Sequence, residues 1–208
     1  MLIDKLRLPV VAAPMFLVSG PEMVIAAARS GIIGAFPTPN CRTAADLDAW
    51  MTRIAAETEG APGLWAANLV THSSNQRLAD DLALIAKHKP PVVITALGSP
   101  APAVETVHGY GGIVLADVIS VALGRKAAAA GADGLVCVSA GAGGHTGFLS
   151  PFAFITALRA EFDYRGVLSH RYPRVPRVKQ PSATVTDASE HLVVIAPLRA
   201  TVLRAQTF

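Results

Sequence analysis

Short runs of β-branched and aliphatic residues alternate with longer alanine-rich segments along the first 162 residues of the chain. The short runs have the continuous apolar character of strands that are buried on both faces, and the longer segments carry apolar residues at helical spacing. The predicted strands are Leu8–Ala13, Ile32–Phe36, Leu64–Leu69, Val92–Leu97, Gly112–Asp117 and Gly134–Val138. The predicted helices are about Pro21–Ser30, Thr43–Glu59, Asn75–His88, Ala101–His108, Ile119–Ala130 and Pro151–Phe162.

Turn-forming residues mark the ends of these predicted helices. A glycine can end a helix in the left-handed conformation without a Cβ clash, and a hydroxyl or a proline favours the first turn. The glycines that follow helices are Gly31, Gly60, Gly109 and Gly131. The start signals are Ser19-Gly20-Pro21, Thr43 and Ser150-Pro151. The sequence therefore predicts six successive βα units.

Parallel strands joined in this way either close into a barrel or form an open doubly wound sheet, and both folds place their chemistry at the carboxyl ends of the strands. The first strand runs into Ala13-Pro14-Met15 and no GxGxxG motif follows it, which argues against a dinucleotide-binding sheet. A complete (β/α)₈ barrel needs roughly 250 residues. We therefore expect an incomplete TIM-type (β/α)₈ barrel of about six βα units, followed by an irregular tail.

Composition and charge change after residue 162. Residues 1–162 carry 11 Lys and Arg against 12 Asp and Glu, whereas residues 163–208 carry 7 against 3 and only one of the 17 glycines. We interpret residues 163–208 as a basic tail outside the barrel pattern, produced by a shifted reading frame, a truncated gene or genuine divergence. Only His191–Leu198 has strand character. A barrel without its last two strands would expose the edges of strands one and six, so we expect homo-oligomerisation through those edges.

Several classes of protein are disfavoured by the same data. Asp4 and Pro9 interrupt any secretory apolar core, and no run of 18 apolar residues occurs, so we expect a cytoplasmic protein that does not enter membranes. Cys41 and Cys137 are too few for a disulfide framework and are not spaced as metal ligands, so no metal is expected. The basic tail contains Tyr172 as its one aromatic residue among the arginines, and we expect no binding to nucleic acid.

Two strand exits carry small or polar residues suited to a flat ligand. The first exit, Ala13-Pro14-Met15, offers small side chains beside exposed backbone, although an ordinary buried strand would look the same. The third strand contains Asn68 inside an apolar run, where its amide could bind either a heterocycle edge or a neighbouring loop. His72 lies four residues further on and is interpreted as a solvated loop residue.

The sixth strand is followed by Ser139-Ala140-Gly141-Ala142-Gly143-Gly144-His145-Thr146-Gly147. Four glycines let backbone amides approach a ligand closely, and they leave a single imidazole projecting from the loop. Free imidazole changes its protonation state near neutral pH, so histidine is a residue type suited to proton transfer. His145 is therefore the main candidate for a catalytic residue.

Taken together, Ala13-Pro14-Met15, Asn68 and Ala142-Gly143-Gly144-His145 followed by Gly147 resemble the motifs of the nitronate monooxygenase family, formerly called 2-nitropropane dioxygenases. The resemblance covers residues 1–162 and implies an FMN-dependent oxidation of alkyl nitronates with molecular oxygen. It implies that His145 acts as base or hydrogen-bond partner of the nitronate. It also implies FMN-binding roles for a set of motif residues. These are Ala13, Pro14 and Met15 beside the ring, Asn68 bonded to it, and Gly143 and Gly144 on its phosphate or ribityl side.

Two positions depart from the family pattern. Val138 stands where several members have a glutamine, and Asp117 stands where some relatives place a lysine. Two alternative functions also remain open. One is the sister FMN-dependent enoyl-acyl-carrier-protein reductase, and the other is an inactive barrel remnant that cannot hold FMN.

Overall fold

The computed structural model describes residues 6–142 and 146–162 and, in addition, the backbone of Ile195–Pro197. Strands and helices alternate through the first two ranges. The strands are β1 (Val11–Ala12), β2 (Ile33–Pro37), β3 (Leu64–Val70), β4 (Val92–Ala96), β5 (Ile113–Val118) and β6 (Gly134–Cys137). The helices are α1 (Pro21–Arg29), α2 (Ala44–Glu57), α3 (Leu78–His88), α4 (Ala101–Gly109), α5 (Val121–Ala129) and α6 (Pro151–Glu161). The six predicted βα units are confirmed.

The sheet has the strand order β1-β2-β3-β4-β5-β6, and every neighbouring pair in this series is parallel. Sequential parallel strands, each followed by a helix, form an incomplete TIM-type barrel, as the sequence predicted. Among the described residues six such units are present. This arrangement brings all six strand exits to one edge of the sheet, which we call the carboxyl edge.

The two faces of the sheet carry different parts of the core. On the face toward the helices, side chains such as Phe36 and Trp65 pack against α1 to α4. A second cluster on the same face joins Ala116 and Leu135 to Phe154 of α6. The opposite face, which would line the barrel, forms a separate aliphatic cluster. Its buried members are Val11, Ile33, Ala35, Ala66, Val92, Ile94, Leu115 and Val136. We call this the inner face.

Helix ends follow the predicted signals with one exception. Gly31, Gly60 and Gly131 have φ values of +86°, +70° and +95°. The exception is Gly109, which is the last residue of α4 and does not follow it. Gly111 takes the left-handed conformation instead, with φ +81°.

The helix starts also follow the sequence. Thr43 forms a reciprocal capping box with Asp46, and the Ser150 hydroxyl accepts a hydrogen bond from the Ala153 amide. Pro21 occupies the first turn of α1 behind Gly20, which has no side chain with which to cap the helix. Ser19, the remaining start signal, does not cap α1 but forms hydrogen bonds to the turn after β1.

A seventh strand, β7 (Ile195–Pro197), pairs antiparallel with Gly134–Val136 of β6. It lies within the His191–Leu198 stretch that has strand character in the sequence. The prediction that the edge of strand six is exposed is wrong along these three residues, because β7 takes up the hydrogen-bonding groups of that edge. Strand β1 is the other end of the sheet order. The remaining predictions about residues 163–208 lie outside the described residues.

Within the described ranges, no helix is long and apolar enough to cross a membrane.

Candidate active site

The structure places the described candidate residues at the carboxyl edge. Ala13, Pro14 and Met15 follow β1 directly, and Asn68 lies near the end of β3. Gly143, Gly144 and His145 lie outside the described residues, so their predicted roles stay predictions. The residues on both sides of that tripeptide are described, and they show where the glycine-rich loop begins and ends.

The turn after β1 is held by two side chains that sequence reasoning did not assign to the site. The buried Ser19 hydroxyl accepts a hydrogen bond from the Met15 amide at 2.9 Å and donates one to the Ala13 carbonyl at 3.3 Å. Asn40 Nδ2 donates to the carbonyl oxygens of Met15 at 3.1 Å and Ser19 at 2.8 Å. The Asn40 Oδ1 accepts a hydrogen bond from the Leu17 amide at 2.9 Å. The backbone of this turn is therefore fixed before any ligand binds.

Asn68 lies on the inner face and is 8% exposed. It pairs in register with Pro37 of β2 and Ile94 of β4. Its Nδ2 donates a hydrogen bond to the Ile94 carbonyl at 3.1 Å, but no donor from the described part of the chain reaches its Oδ1. A buried amide oxygen without a partner costs free energy, so it is suited to accept a hydrogen bond from a ligand N–H.

The glycine-rich loop after β6 is closed at its base. The Ala140 amide donates to the Leu149 carbonyl at 2.8 Å, and the Thr146 hydroxyl donates to the Ser139 carbonyl at 2.7 Å. A Cβ on Gly147 would lie 2.4 Å from the Val138 carbonyl oxygen, so only glycine allows this approach. The loop that contains the glycine and histidine motif thus leaves and returns at the carboxyl end of β6.

Asp117 is a further polar residue at this edge. It pairs in register with Val136, and its neighbours along β5, Ala116 and Val118, pack on the opposite face against α5 and α6. Asp117 therefore lies on the inner face. Burial among apolar strands raises the pKa of its carboxyl to about 7. Val138, the other departure from the family pattern, packs against the aliphatic cluster of the same face.

Large apolar side chains surround the carboxyl edge. Those with the greatest exposure follow β1, β4 and β6 and are Phe16, Leu17, Val18, Leu97, Phe148 and Phe152, with 65%, 76%, 67%, 58%, 94% and 58% of their surface accessible. Two of them have left-handed backbone, with φ +60° at Leu17 and +62° at Leu97. Such conformations are costly for a leucine and cluster at functional sites in proteins. The mouth of the candidate site is therefore apolar.

The other titratable candidates have local roles. His72 is exposed and its Nδ1 is hydrogen-bonded to the Ser74 hydroxyl at 2.9 Å, as expected of a loop residue. Cys41 and Cys137 are free thiols, and burial raises their pKa values to about 12 and about 11. In residues 6–142 and 146–162, no group of three His, Cys, Asp or Glu side chains is placed to hold a metal ion.

Comparison with known proteins identifies structural neighbours only. No protein-family model matches the chain, and no curated protein matches its sequence. The solved structure of FabK from Thermotoga maritima matches 77% of this chain and 50% of its own, with a TM-score of 0.70 and 20% identity. A nitroalkane oxidase from Streptomyces ansochromogenes matches 78% of this chain and 58% of its own, with a TM-score of 0.69 and 20% identity. The chain thus covers 50% and 58% of the length of these two neighbours, with which it shares a fold.

Proposed function

We propose that this chain is an FMN-dependent oxidoreductase that oxidises alkyl nitronates with molecular oxygen. The observation that supports the proposal is that the described residues of the family motifs occur where a barrel of this fold places its active site. The residues of the nitronate monooxygenase pattern that the structure describes, Ala13–Met15 and Asn68, both lie at the carboxyl edge of a TIM-type barrel sheet. A solved neighbour of the same fold is a nitroalkane oxidase.

The described residues fit a flavin. The unpartnered Oδ1 of Asn68 is an acceptor for a ring N–H, and the apolar inner face suits the flat ring system. The turn Ala13–Met15 keeps its shape through Ser19 and Asn40, so it can pack against that ring without rearrangement. When bound, FMN would supply the capacity to take electrons from the substrate and pass them to oxygen.

The family resemblance implies that His145 would take a proton from the substrate or donate a hydrogen bond to it, and that Gly143 and Gly144 would contribute backbone amides to the cofactor site. The protein's own contribution is then to hold the cofactor, exclude water and position the nitronate. The two remaining candidate functions are distinguished by their reductants. An enoyl-acyl-carrier-protein reductase would reduce its flavin with NAD(P)H, and a barrel remnant would hold no flavin.

The spectrum of the purified full chain is the first test. We expect a yellow protein, or one that gains a bound flavin spectrum when FMN is added. Anaerobic stopped-flow mixing with ethylnitronate in the absence of NAD(P)H should then bleach the flavin absorbance. Reduction only by NAD(P)H would favour the enoyl reductase, and a colourless protein that gains no spectrum would favour the remnant.

The substitution His145→Ala tests the main residue assigned by the resemblance. We expect flavin content to be retained and reduction by ethylnitronate to fall by about 10²–10⁴, the range for loss of a positioned base or hydrogen bond. His72→Ala is the matched control, because His72 is an exposed histidine on a loop of the same edge. Unchanged reduction in His145→Ala at full flavin occupancy would remove His145 from the mechanism.

A further inference from the structure

The side chain of Asn40 directs both its donor and its acceptor groups at a single turn. Asn40 is the half-buried last residue of the short 3-10 helix Thr38–Asn40, which follows β2. Its Nδ2 donates to the carbonyl oxygens of Met15 and Ser19, and its Oδ1 accepts from the Leu17 amide. These three residues precede Asn40 by 21 to 25 positions in the chain. The carboxamide therefore ties the exit of β2 to the exit of β1.

Leu17 is the residue of this turn that depends most on such support. Its φ of +60° lies in the left-handed region, where the Cβ of a leucine is crowded by the backbone. A conformation of this kind persists only where the surrounding structure enforces it. Leu17 is 76% exposed, so side-chain packing contributes little, whereas its amide is held by Asn40 Oδ1 at 2.9 Å. Asn40 therefore stabilises a backbone shape that Leu17 would otherwise leave.

Asn40 is in turn held by an ion pair at the start of α3. The buried carboxylate of Asp81 accepts hydrogen bonds from the Thr38 hydroxyl at 3.2 Å and from Arg77 Nη2 at 3.0 Å. Arg77 also donates to the Cys41 carbonyl at 2.7 Å, so the pair grips the chain on both sides of Asn40. A buried ion pair adds little net stability compared with apolar side chains of similar volume. Its contribution here is the fixed position of the 3-10 helix.

We propose that Asn40 is a positioning residue for the cofactor, because it keeps the turn Ala13–Met15 in the shape that receives the FMN ring. The Asp81–Arg77 pair positions Asn40. This inference rests on the proposed function. Without the carboxamide the turn would take several shapes, and only a fraction of the molecules would be ready to bind flavin. The apparent dissociation constant for FMN rises in proportion as that fraction falls.

The substitution Asn40→Asp isolates the two donated hydrogen bonds. Aspartate has nearly the shape of asparagine and can still accept from the Leu17 amide, but its carboxylate cannot donate to the carbonyl oxygens of Met15 and Ser19. Those oxygens disfavour the charged form and raise the pKa of the introduced carboxyl. On acidification the carboxyl gains a proton and recovers one of the lost bonds. The defect in FMN binding should therefore be large at about pH 8 and smaller at about pH 5.

That defect is expressed as the ratio of the dissociation constant of the variant to that of the wild type at each pH. The charged side chains bonded to the 3-10 helix and to Cys41 are Arg77 and Asp81. They are present in both proteins, and so is the FMN phosphate. Their titration is common to the two dissociation constants, and the ratio reports on the introduced carboxyl.

The experiment measures the FMN dissociation constant of the full chain by quenching of flavin fluorescence, and Tm by circular dichroism. The variants are Asn40→Ala, Asn40→Asp, Thr38→Val and Thr95→Val. Thr38→Val removes the hydroxyl that bonds Asp81. Thr95→Val is the matched control, since Thr95 is equally buried in β4 and its hydroxyl donates to the Leu115 carbonyl at the same distance of 3.2 Å. Thr95 is in register with Leu69 on the face toward the helices, away from the turn.

We expect Asn40→Ala to raise the dissociation constant by about 10–100-fold, as when about 1–10% of the molecules keep the competent shape. Thr38→Val should raise it by about 2–10-fold, the effect of one hydrogen bond, and Thr95→Val should match the wild type. In the flavin-free chain, hydrogen exchange followed by mass spectrometry should be faster for the amides of residues 15–19 in Asn40→Ala and Thr38→Val than in Thr95→Val.

A wild-type dissociation constant in Asn40→Ala would overturn the inference and leave the proposed function standing. So would equal constants for Thr38→Val and Thr95→Val, or a ratio for Asn40→Asp that does not change with pH. These two measurements decide the matter even if Asn40→Ala does not fold. A wild type that binds no FMN would refute the proposed function and this inference with it.

Discussion

Replacement of Gly34 by alanine should disturb the packing of α1 on the sheet. Gly34 lies in β2 on the face toward the helices, and a Cβ there would lie 2.4 Å from the Val24 carbonyl oxygen and 2.7 Å from the Val24 Cα. Favourable contacts between carbon atoms lie at about 3.5–4.0 Å, so the helix would have to move by about 1 Å. The obstacle is backbone and cannot rotate away.

The cost follows from two opposing effects. Overpacking of this kind destabilises a core by about 1–3 kcal/mol. Replacement of glycine by alanine also lowers the conformational entropy of the unfolded chain, which stabilises the folded state by about 0.4–1 kcal/mol. We therefore expect Gly34→Ala to lower the free energy of unfolding by about 1–2 kcal/mol. For a chain of this size that is a fall in Tm of about 2–8 °C. Because α1 follows the turn Ala13–Met15, the proposed affinity for FMN should fall as well.

Thermal unfolding followed by circular dichroism measures the effect, and Gly109→Ala is the matched control. Gly109 ends α4, and a Cβ there would have no atom within 4 Å. Alanine is the better helix former by up to about 1 kcal/mol, so the control should be neutral or more stable. Equal stability of Gly34→Ala and Gly109→Ala would refute the close approach of α1 to β2.

Two further predictions concern the carboxyl-edge loops and the thiols. Arg77→Ala should lower the free energy of unfolding by about 3 kcal/mol in urea titrations, because it removes the charged partner at 3.0 Å from the Asp81 carboxylate, which is 1% exposed and keeps only the hydrogen bond from the Thr38 hydroxyl. Addition of Asp81→Asn should restore part of that loss, and a double variant as unstable as the single one would contradict the reasoning. Cys41 and Cys137 should resist iodoacetamide at pH 8 in the folded chain and react in urea, since burial raises both thiol pKa values. Rapid labelling of the folded protein, measured by mass spectrometry, would show that either thiol is accessible as thiolate.

Local signals in the sequence account for most of the fold. Continuous apolar runs and helix-ending glycines predicted all six βα units, because a parallel sheet buried on both faces needs such strands. Two details depended on more than local signals. The segment Gly109-Tyr110-Gly111-Gly112 has three glycines, and the sequence alone does not show which of them takes the left-handed conformation after α4. The Tyr110 hydroxyl donates a hydrogen bond to the Pro90 carbonyl at 3.0 Å, and this tertiary contact is part of what selects Gly111. Strand β1 begins late because Pro9 has no N–H and the Val10 amide donates to the Leu8 carbonyl at 2.8 Å rather than to a neighbouring strand.

The candidate site was predictable where it depends on strand ends. Asn68 stood out as a polar residue in an apolar run, and its unpartnered oxygen became evident only from the packing of β4 beside it. Asn40 gave no signal, since the carbonyl groups it binds lie 21 and 25 residues away in the chain. Asp117 was noticed only as a departure from a family pattern. Its isolation follows from strand register, which fixes which face each residue occupies.

The antiparallel strand β7 has a consequence for any attempt to complete the barrel from a second polypeptide. A parallel seventh strand would need the same backbone groups of Gly134–Val136 that β7 occupies. Only one of the two can be paired with β6 at a time, so β7 would act as an intramolecular competitor of the added strand. Fragment complementation with further barrel units should therefore become more efficient when Ile195 and Ala196 are replaced by proline, which cannot donate to a ladder.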